Sequence, residues 1–261
     1  MRIARRVLLQ LWLPVALVTL WWQLSLNSSS LFFPPLREIL EQFRQWWLGE
    51  GFTQDLLPSL QNLLIGYLLA VLIGVTAGLA IGSVPRVQQA IMPELEFARA
   101  IPAVALLPAA VIVLGLTDVM RIAIIAAGAV WPVLLSTIAG VAETEAQLSD
   151  IERVFRVPSR VRLLCVRLPG ALPRIVAGAR VSLAIAVVLI VVSEMQGATH
   201  GVGSYLLLAQ RNFAITQMWS AMLLLGLLGY LLNAVFSLVE RRLLRFHPIS
   251  HPGHAGQKGR S

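Results

Sequence analysis

The sequence predicts an all-α, polytopic membrane protein of about six transmembrane helices, and three observations predict it. Hydrophobic residues make up 57% of the 261 residues, mean hydropathy is +0.76, and only 13% of residues are charged. A soluble domain of this length needs more charge to cover its surface. Apolar runs of about 20 residues recur, the length that a helix rising about 1.5 Å per residue needs to cross about 30 Å of hydrocarbon. All but one of the 21 basic residues are arginines, most of them in short segments beside those runs. That is the arrangement of membrane topology and not of a nucleic-acid-binding face. The lone Cys165 excludes an internal disulfide framework and offers no cysteine metal cluster.

The six runs lie at Val7–Leu26, Leu60–Ile81, Ile91–Leu116, Ile122–Val141, Ile175–Met195 and Met218–Val239. The first follows Arg2, Arg5 and Arg6 but is long for a signal peptide, ends in Trp21-Trp22 and lacks a small-residue cleavage site before Asn27. It reads as a retained span. Between Leu36 and Trp47 the apolar residues Leu36, Ile39, Leu40, Phe43, Trp46 and Trp47 alternate with charges at helical spacing, which predicts an amphipathic helix lying on the outer leaflet. In the second span Gly74, Gly78 and Gly82 share one stripe, where a neighbouring helix of the same subunit can approach closely. The third span carries Pro93, Pro102 and Pro108. Interior prolines kink a helix and free carbonyls that a cavity or another helix must satisfy, so this span is expected to line a path, with Pro102 and Pro108 shaping it. Ser193 and Glu194 close the fifth span and are expected to flank the outer mouth. A membrane carboxylate is costly unless paired or wetted; Glu194 either caps the Gly201 turn, pairs with an arginine, or gates. Gly201 to Gln217 predicts a second outer turn and helix, and residues 247–261, rich in Gly, His and Pro, a disordered tail.

Orientation follows from the basic residues. With a cytoplasmic N-terminus the inner segments hold Arg2, Arg5, Arg6, Arg86, Arg153, Arg156, Arg160, Arg162, Arg167, Arg174, Arg241, Arg242, Arg245, Lys258 and Arg260. The outer segments hold Arg37, Arg44 and Arg211, while Arg99, Arg121 and Arg180 lie in or beside spans. Both termini are therefore expected in the cytoplasm. Arg99 is expected to neutralise Glu94 or Glu96, and Asp118 with Arg121 to form a short outer connection.

The polar insertion Asp150–Pro173 is the most informative stretch. A helix from about Ala146 to Arg156 would put Ile151, Val154 and Phe155 on one face, with Asp150, Arg153 and Arg156 around it, an apolar knob ringed by charge that suits docking into a groove. An interfacial helix held to anionic lipid is the alternative. Asp150-Ile151-Glu152, Arg156, Val166, Leu168 and Pro169 fall at the spacing of Glu-Ala-Ala, three residues, Gly, nine residues, Ile, one residue, Leu-Pro. The segment resembles the cytoplasmic "EAA" loop of binding-protein-dependent ABC importer permeases. The likeness to the taurine, alkanesulfonate and nitrate importer permeases continues through Ser59–Gly66, Arg99–Pro108, Leu168–Arg180, Ser193-Glu194-Met195, Gly201-Val202-Gly203 and Glu240-Arg241-Arg242. Arg156 stands where the family has the glycine that turns the loop between two short helices, and Pro158 can still separate them.

The resemblance implies a type I ABC importer permease in the bacterial inner membrane, residues 1–246 forming one domain with a coupling loop at about 142–174. It implies that Asp150, Ile151, Glu152, Val154, Phe155, Arg156, Pro158, Leu168 and Pro169 engage an ATPase subunit. The implied partners are two ATPase subunits that bind ATP and Mg, a second copy of the permease, and a periplasmic or extracellular solute-binding protein. The implied cargo is a small anion or zwitterion, such as a sulfonate, taurine or nitrate. The sequence carries no phosphate loop, zinc-protease motif or nucleophile elbow, so the chain reads as a non-enzyme without a cofactor of its own. A membrane scaffold or enzyme whose arginines bind lipid headgroups is the competing reading. An ion-coupled carrier is disfavoured by the lack of internal repeats and of paired charges within spans.

Overall fold

The computed structural model describes residues 12, 16, 18–26, 30–154, 158 and 161–246, with 145–154 and 246 described by backbone alone. The chain is helical over 18–25. Most of the first apolar run before it, and the tail 247–261, lie outside the described residues. The helices that follow are α1 (Leu36–Trp47), α2 (Leu57–Gly82, entered through a π-helical turn at Phe52–Leu56) and α3 (Pro85–Arg99). Next come α4 (Leu107–Leu114, entered through a 3-10 turn at Ala103–Leu106), α5 (Asp118–Val154) and α6 (Leu168–Glu194, entered through a π-helical stretch at Arg162–Arg167). α7 (Val202–Arg211) and α8 (Ile215–Leu243) complete the order. Among the described residues, four continuous helical runs are long and apolar enough to cross a bilayer: Phe52–Gly82, Asp118–Thr144, Arg162–Glu194 and Ile215–Leu243.

The expected third span is corrected. It is a broken pair, α3 and the Ala103–Leu114 segment, bent by 74°. Pro93 sits inside α3 without ending it. The break falls at Ile101 and Pro102: a proline disfavours helical geometry in the residue before it, and Pro102 itself adopts an extended backbone (φ −62°, ψ 124°). Pro108 lies in the first turn of α4, where its missing N–H has no helical partner to lose.

α2, α5 and α6 form the centre. Leu63 and Ala70, Met120, Ile124, Ile125 and Ala129, and Leu183, Ala186, Leu189 and Ile190 bury one another, with Leu107 of α4 beside them. Tyr67 donates to the carbonyl of Ala179 at 3.1 Å, and Ser182 to that of Ala129 at 2.6 Å. The glycine stripe of α2 is the seam with α5: a Cβ on Gly74 would meet the Val133 side chain at 2.8 Å, and one on Gly78 would meet Thr137 at 2.6 Å. The missing side chains let the two backbones close, which multiplies dispersion contacts where no hydrophobic force drives helices together.

Two further expectations change. The amphipathic helix has the bounds read from sequence, Leu36–Trp47, but its apolar stripe covers protein: Leu36, Ile39 and Trp47 are buried, and α1 packs along α8. The fourth span does not end before a separate loop helix. α5 runs unbroken for 37 residues to Val154.

The glycine seam yields a stability test. Gly74→Leu should lower the stability of the chain in nanodiscs by about 1–3 kcal/mol through overpacking. Gly226→Leu on α8, where an added Cβ would have nothing within 4 Å, should be neutral within about 0.5 kcal/mol. Equal thermal midpoints for the two variants would contradict the seam.

Candidate functional site

At the end of the bundle where α1 and α7 lie, a buried polar network joins four elements. Glu194, the last residue of α6, accepts from Ser59 of α2 at 2.6 Å through Oε1 and from the Gly203 N–H at 2.8 Å through Oε2. Ser59 Oγ in turn accepts from the Val202 N–H at 2.9 Å. Asp55 Oδ1 accepts from the Gly201 N–H at 2.9 Å, and its Oδ2 from Trp46 Nε1 at 3.2 Å. The first N–H groups of α7, orphaned by helix geometry, thus end on two carboxylates and a hydroxyl. Glu194 is only 2% exposed, so the capping alternative is the one that the geometry realises. Gly201 is required twice: its φ is +115°, and a Cβ there would fall 2.5 Å from the Glu194 carboxyl carbon. Ser193 is buried with its hydroxyl on the Ile190 carbonyl at 2.9 Å. Above the network Tyr205 stacks on Trp46 and meets Trp47 edge-on, with centroids 5.4 and 4.9 Å apart. Burial pushes its phenol up from the ordinary value.

Two cavities adjoin these elements. The smaller, of about 300 Å³, lies beside the network and is lined by Asp55, Glu194, Thr199, Tyr205 and Arg211 among others. The larger, of about 720 Å³, opens where the third span breaks, between the 3-10 turn, α5 and α6, and Pro102, Val104, Trp131, Leu135, Ile185 and Val188 line it. By helix rise its lining on α5 and α6 extends roughly 10 to 25 Å below the α7 end, within a hydrocarbon layer. The two linings share no residue among those described, so Pro102 and Glu194 belong to different cavities. Arg99 lines the larger one. Among the described residues it has no ion pair with Glu94 or Glu96, which corrects the neutralising role expected for it.

At the opposite end, Asp150, Ile151, Glu152 and Val154 form the backbone of the last turns of α5, while Phe155 and Arg156 lie outside the described residues. Pro158 is exposed, and its carbonyl accepts from the Arg162 N–H at 2.9 Å, opening the next helical stretch. Leu168 and Pro169 are therefore helical and not loop. Leu168 packs on the Val141, Ala171 and Ile175 cluster. Arg167 is buried and donates to the Ser83 carbonyl at 2.9 Å, a cation on the C-terminal end of α2.

Residues 70–245 match the family described as binding-protein-dependent transport system inner membrane components. The chain belongs to that family. It is the family that the Asp150–Pro169 spacing resembles. The protein described as the aliphatic sulfonates transport permease SsuC of Bacillus subtilis (strain 168) is 30% identical over 238 residues, 90% of this chain and 86% of its own length. The taurine transport system permease protein TauC of Escherichia coli (strain K12) is 29% identical over 252 residues, 94% of this chain and 92% of its own. The nitrate import permease protein NrtB of Leptolyngbya laminosa is 26% identical over 231 residues, 85% and 83% of the two chains. A solved inward facing structure of the MetNI methionine ABC transporter superposes with a TM-score of 0.61 at 21% identity, over 72% of this chain and 94% of that one, which speaks for the fold alone.

Around the Asp118–Arg121 connection of this permease, Asn62 is a partner that was not singled out in the sequence. Asn62 donates to Asp118 at 2.8 Å, Asp118 pairs with the buried Arg121, and His200 Nε2 lies 3.9 Å from Asp118. Arg180 of α6 pairs with Glu240 of α8 and lies over the Phe236 ring, so the expectation of no paired charges in the spans is corrected. Asp55 and Ser59 precede the apolar run and look like an ordinary helix start. Their partners stand 146 and 135 residues away, a separation that no local pattern encodes.

Glu194→Ala should cost this permease about 2–4 kcal/mol, because Ser59 and the Gly203 N–H lose their acceptor in a buried site. A double-mutant cycle with Ser59→Ala should show coupling of about 1 kcal/mol or more. Additive thermal shifts in nanodiscs would show that the two side chains do not act together.

Proposed function

We propose that two copies of this permease enclose a translocation path and carry a small anionic or zwitterionic solute, of the sulfonate, taurine or nitrate kind, handed over by a solute-binding protein. The observation that carries this reading is the cavity of about 720 Å³ at the break beside Pro102, with family membership and the substrates in the relatives' names in support. Non-helical backbone at membrane depth is tolerated where it lines a cavity or is buried in protein, and a break of 74° is such a place. In this reading both termini are cytoplasmic, six spans form one domain over residues 1–246, and the α7 end faces outward.

ATP hydrolysis belongs to two partner ATPase subunits, which hold the ATP and Mg. They dock on the segment from Asp150, Ile151, Glu152, Val154, Phe155 and Arg156 to Pro158, whose base is fixed by Leu168 and Pro169. α5 is one continuous helix from Asp118 to Val154, so displacement of its docked end moves the cavity wall at Trp131 and Leu135 as a lever. The two states then differ by a rigid-body change in access.

Docking is tested by Phe155→Ala and Asp150→Lys, which should each reduce co-purification of the ATPase and transport at least several-fold while leaving membrane insertion intact. Normal transport and an unchanged complex in both variants would favour a lipid-binding scaffold instead. The path is tested by single cysteines from Ala100 to Val111 in a chain carrying Cys165→Ser. Water-soluble thiol reagents should label Val104 and its cavity neighbours and spare Ile112, which is 85% exposed on α4 and faces lipid in this reading. The pattern should change when ATP is trapped on the partner. Uniform protection in both states would leave the break as packing alone.

A further inference from the structure

We propose that Arg99 is the residue that selects anions in the permease path, and that the cavity it lines accepts an organic anion with one oxyanion headgroup and a hydrocarbon body. The proposal rests on the larger cavity being the path and narrows the cargo class. Arg99 is the one charged residue among the described residues that line it; Val104, Trp131, Leu135, Ile185 and Val188 supply apolar and aromatic surface. A guanidinium stays charged at any accessible pH and matches an oxyanion with two parallel hydrogen bonds. A charge held beside a membrane-depth cavity is costly unless paired or wetted, and Arg99 has no ion pair among the described residues. It sits in the last turn of α3, where the unsatisfied carbonyls of a helix end favour a cation. The α3 end thus holds the charge ready without consuming it in a salt bridge.

The chemistry of the walls narrows the class further. An inorganic oxyanion would satisfy Arg99 but leave the apolar surface wet, and a zwitterion would bring an ammonium to a lining in which no described residue is a carboxylate. An alkyl or aryl sulfonate places its headgroup on Arg99 and its body on the walls, removing apolar area from water on both sides. Arg99 is exposed on the cavity side of α3, and a cation there that repels cations is also a discriminating element against basic solutes.

The test uses the full-length chain with Cys165→Ser in nanodiscs and a cysteine at Val104, which is 43% exposed. It is treated with two methanethiosulfonates, one carrying an ethylsulfonate and the other an ethyltrimethylammonium group. Relative to a free thiol, the anionic reagent should react about tenfold faster than the cationic one, the effect of one guanidinium on the lining of the same cavity. Arg99→Gln should abolish the preference, and Arg99→Lys should retain most of it. Pentanesulfonate should protect the cysteine, whereas taurine and nitrate at the same concentration should not. If Arg99→Gln fails to insert, the reagent preference in the parent and Arg99→Lys chains and the protection by pentanesulfonate decide the matter. A reagent ratio near one in the parent chain, or one unchanged by Arg99→Gln, overturns the inference but leaves the path standing. Protection by taurine or nitrate equal to that by pentanesulfonate does the same. A cysteine at Val104 inert to both reagents overturns the path itself.

Discussion

The seam between α2 and α5 is the contact on which the other helices depend. Gly74 and Gly78 leave room for Val133 and Thr137, and the two backbones approach as closely as glycine permits. In lipid the gain comes from dispersion and from matched surfaces, since the surrounding chains are as apolar as the helices themselves. α6 then lies on both, tied by Tyr67 to Ala179 and by Ser182 to Ala129. With three helices locked, the remaining elements have a rigid body to pack against, and a cavity can persist beside it without collapsing.

That rigidity explains why the broken span is tolerated. α3 and the Ala103–Leu114 segment meet at 74°, and the break leaves backbone groups without helical partners at a depth where lipid offers none. The break abuts a cavity with α5 and α6 as its far walls, while Leu107 just beyond it is buried in the central cluster. One side of the segment is therefore anchored, and the other borders open volume.

The network around Glu194 works on a different principle. A carboxylate that is 2% exposed is supported because the N–H groups at the start of α7 and the Ser59 hydroxyl surround it with donors. It closes the α7 end of the bundle by joining α2, α6 and α7 at one point. The aromatic cluster of Trp46, Trp47 and Tyr205 covers the same point and attaches α1, so the helix read as lying on lipid is part of the cap of this end.

Membrane class and most spans were legible in the sequence because the length of an apolar run and the position of arginines answer directly to bilayer thickness and membrane topology. The family was legible because Asp150 to Pro169 keeps a fixed spacing over a short stretch. The bounds of α1 followed from helical periodicity, and the use of Gly74 and Gly78 followed from their four-residue recurrence. What the sequence left undecided was every pairing between distant side chains. Glu194 could cap, pair or gate; only the approach of Ser59 and Gly203 made it a cap. Arg99 had acidic neighbours three and five residues away, and only the course of α3 turned it to the cavity instead. Three prolines predicted a kink, but which of them marked the break depended on where α4 could restart against the central helices. Local composition determines which segments enter the membrane, since solvation acts on each segment by itself; the partners of a buried charge are decided by tertiary structure, because they come from elements that the chain brings together from far apart.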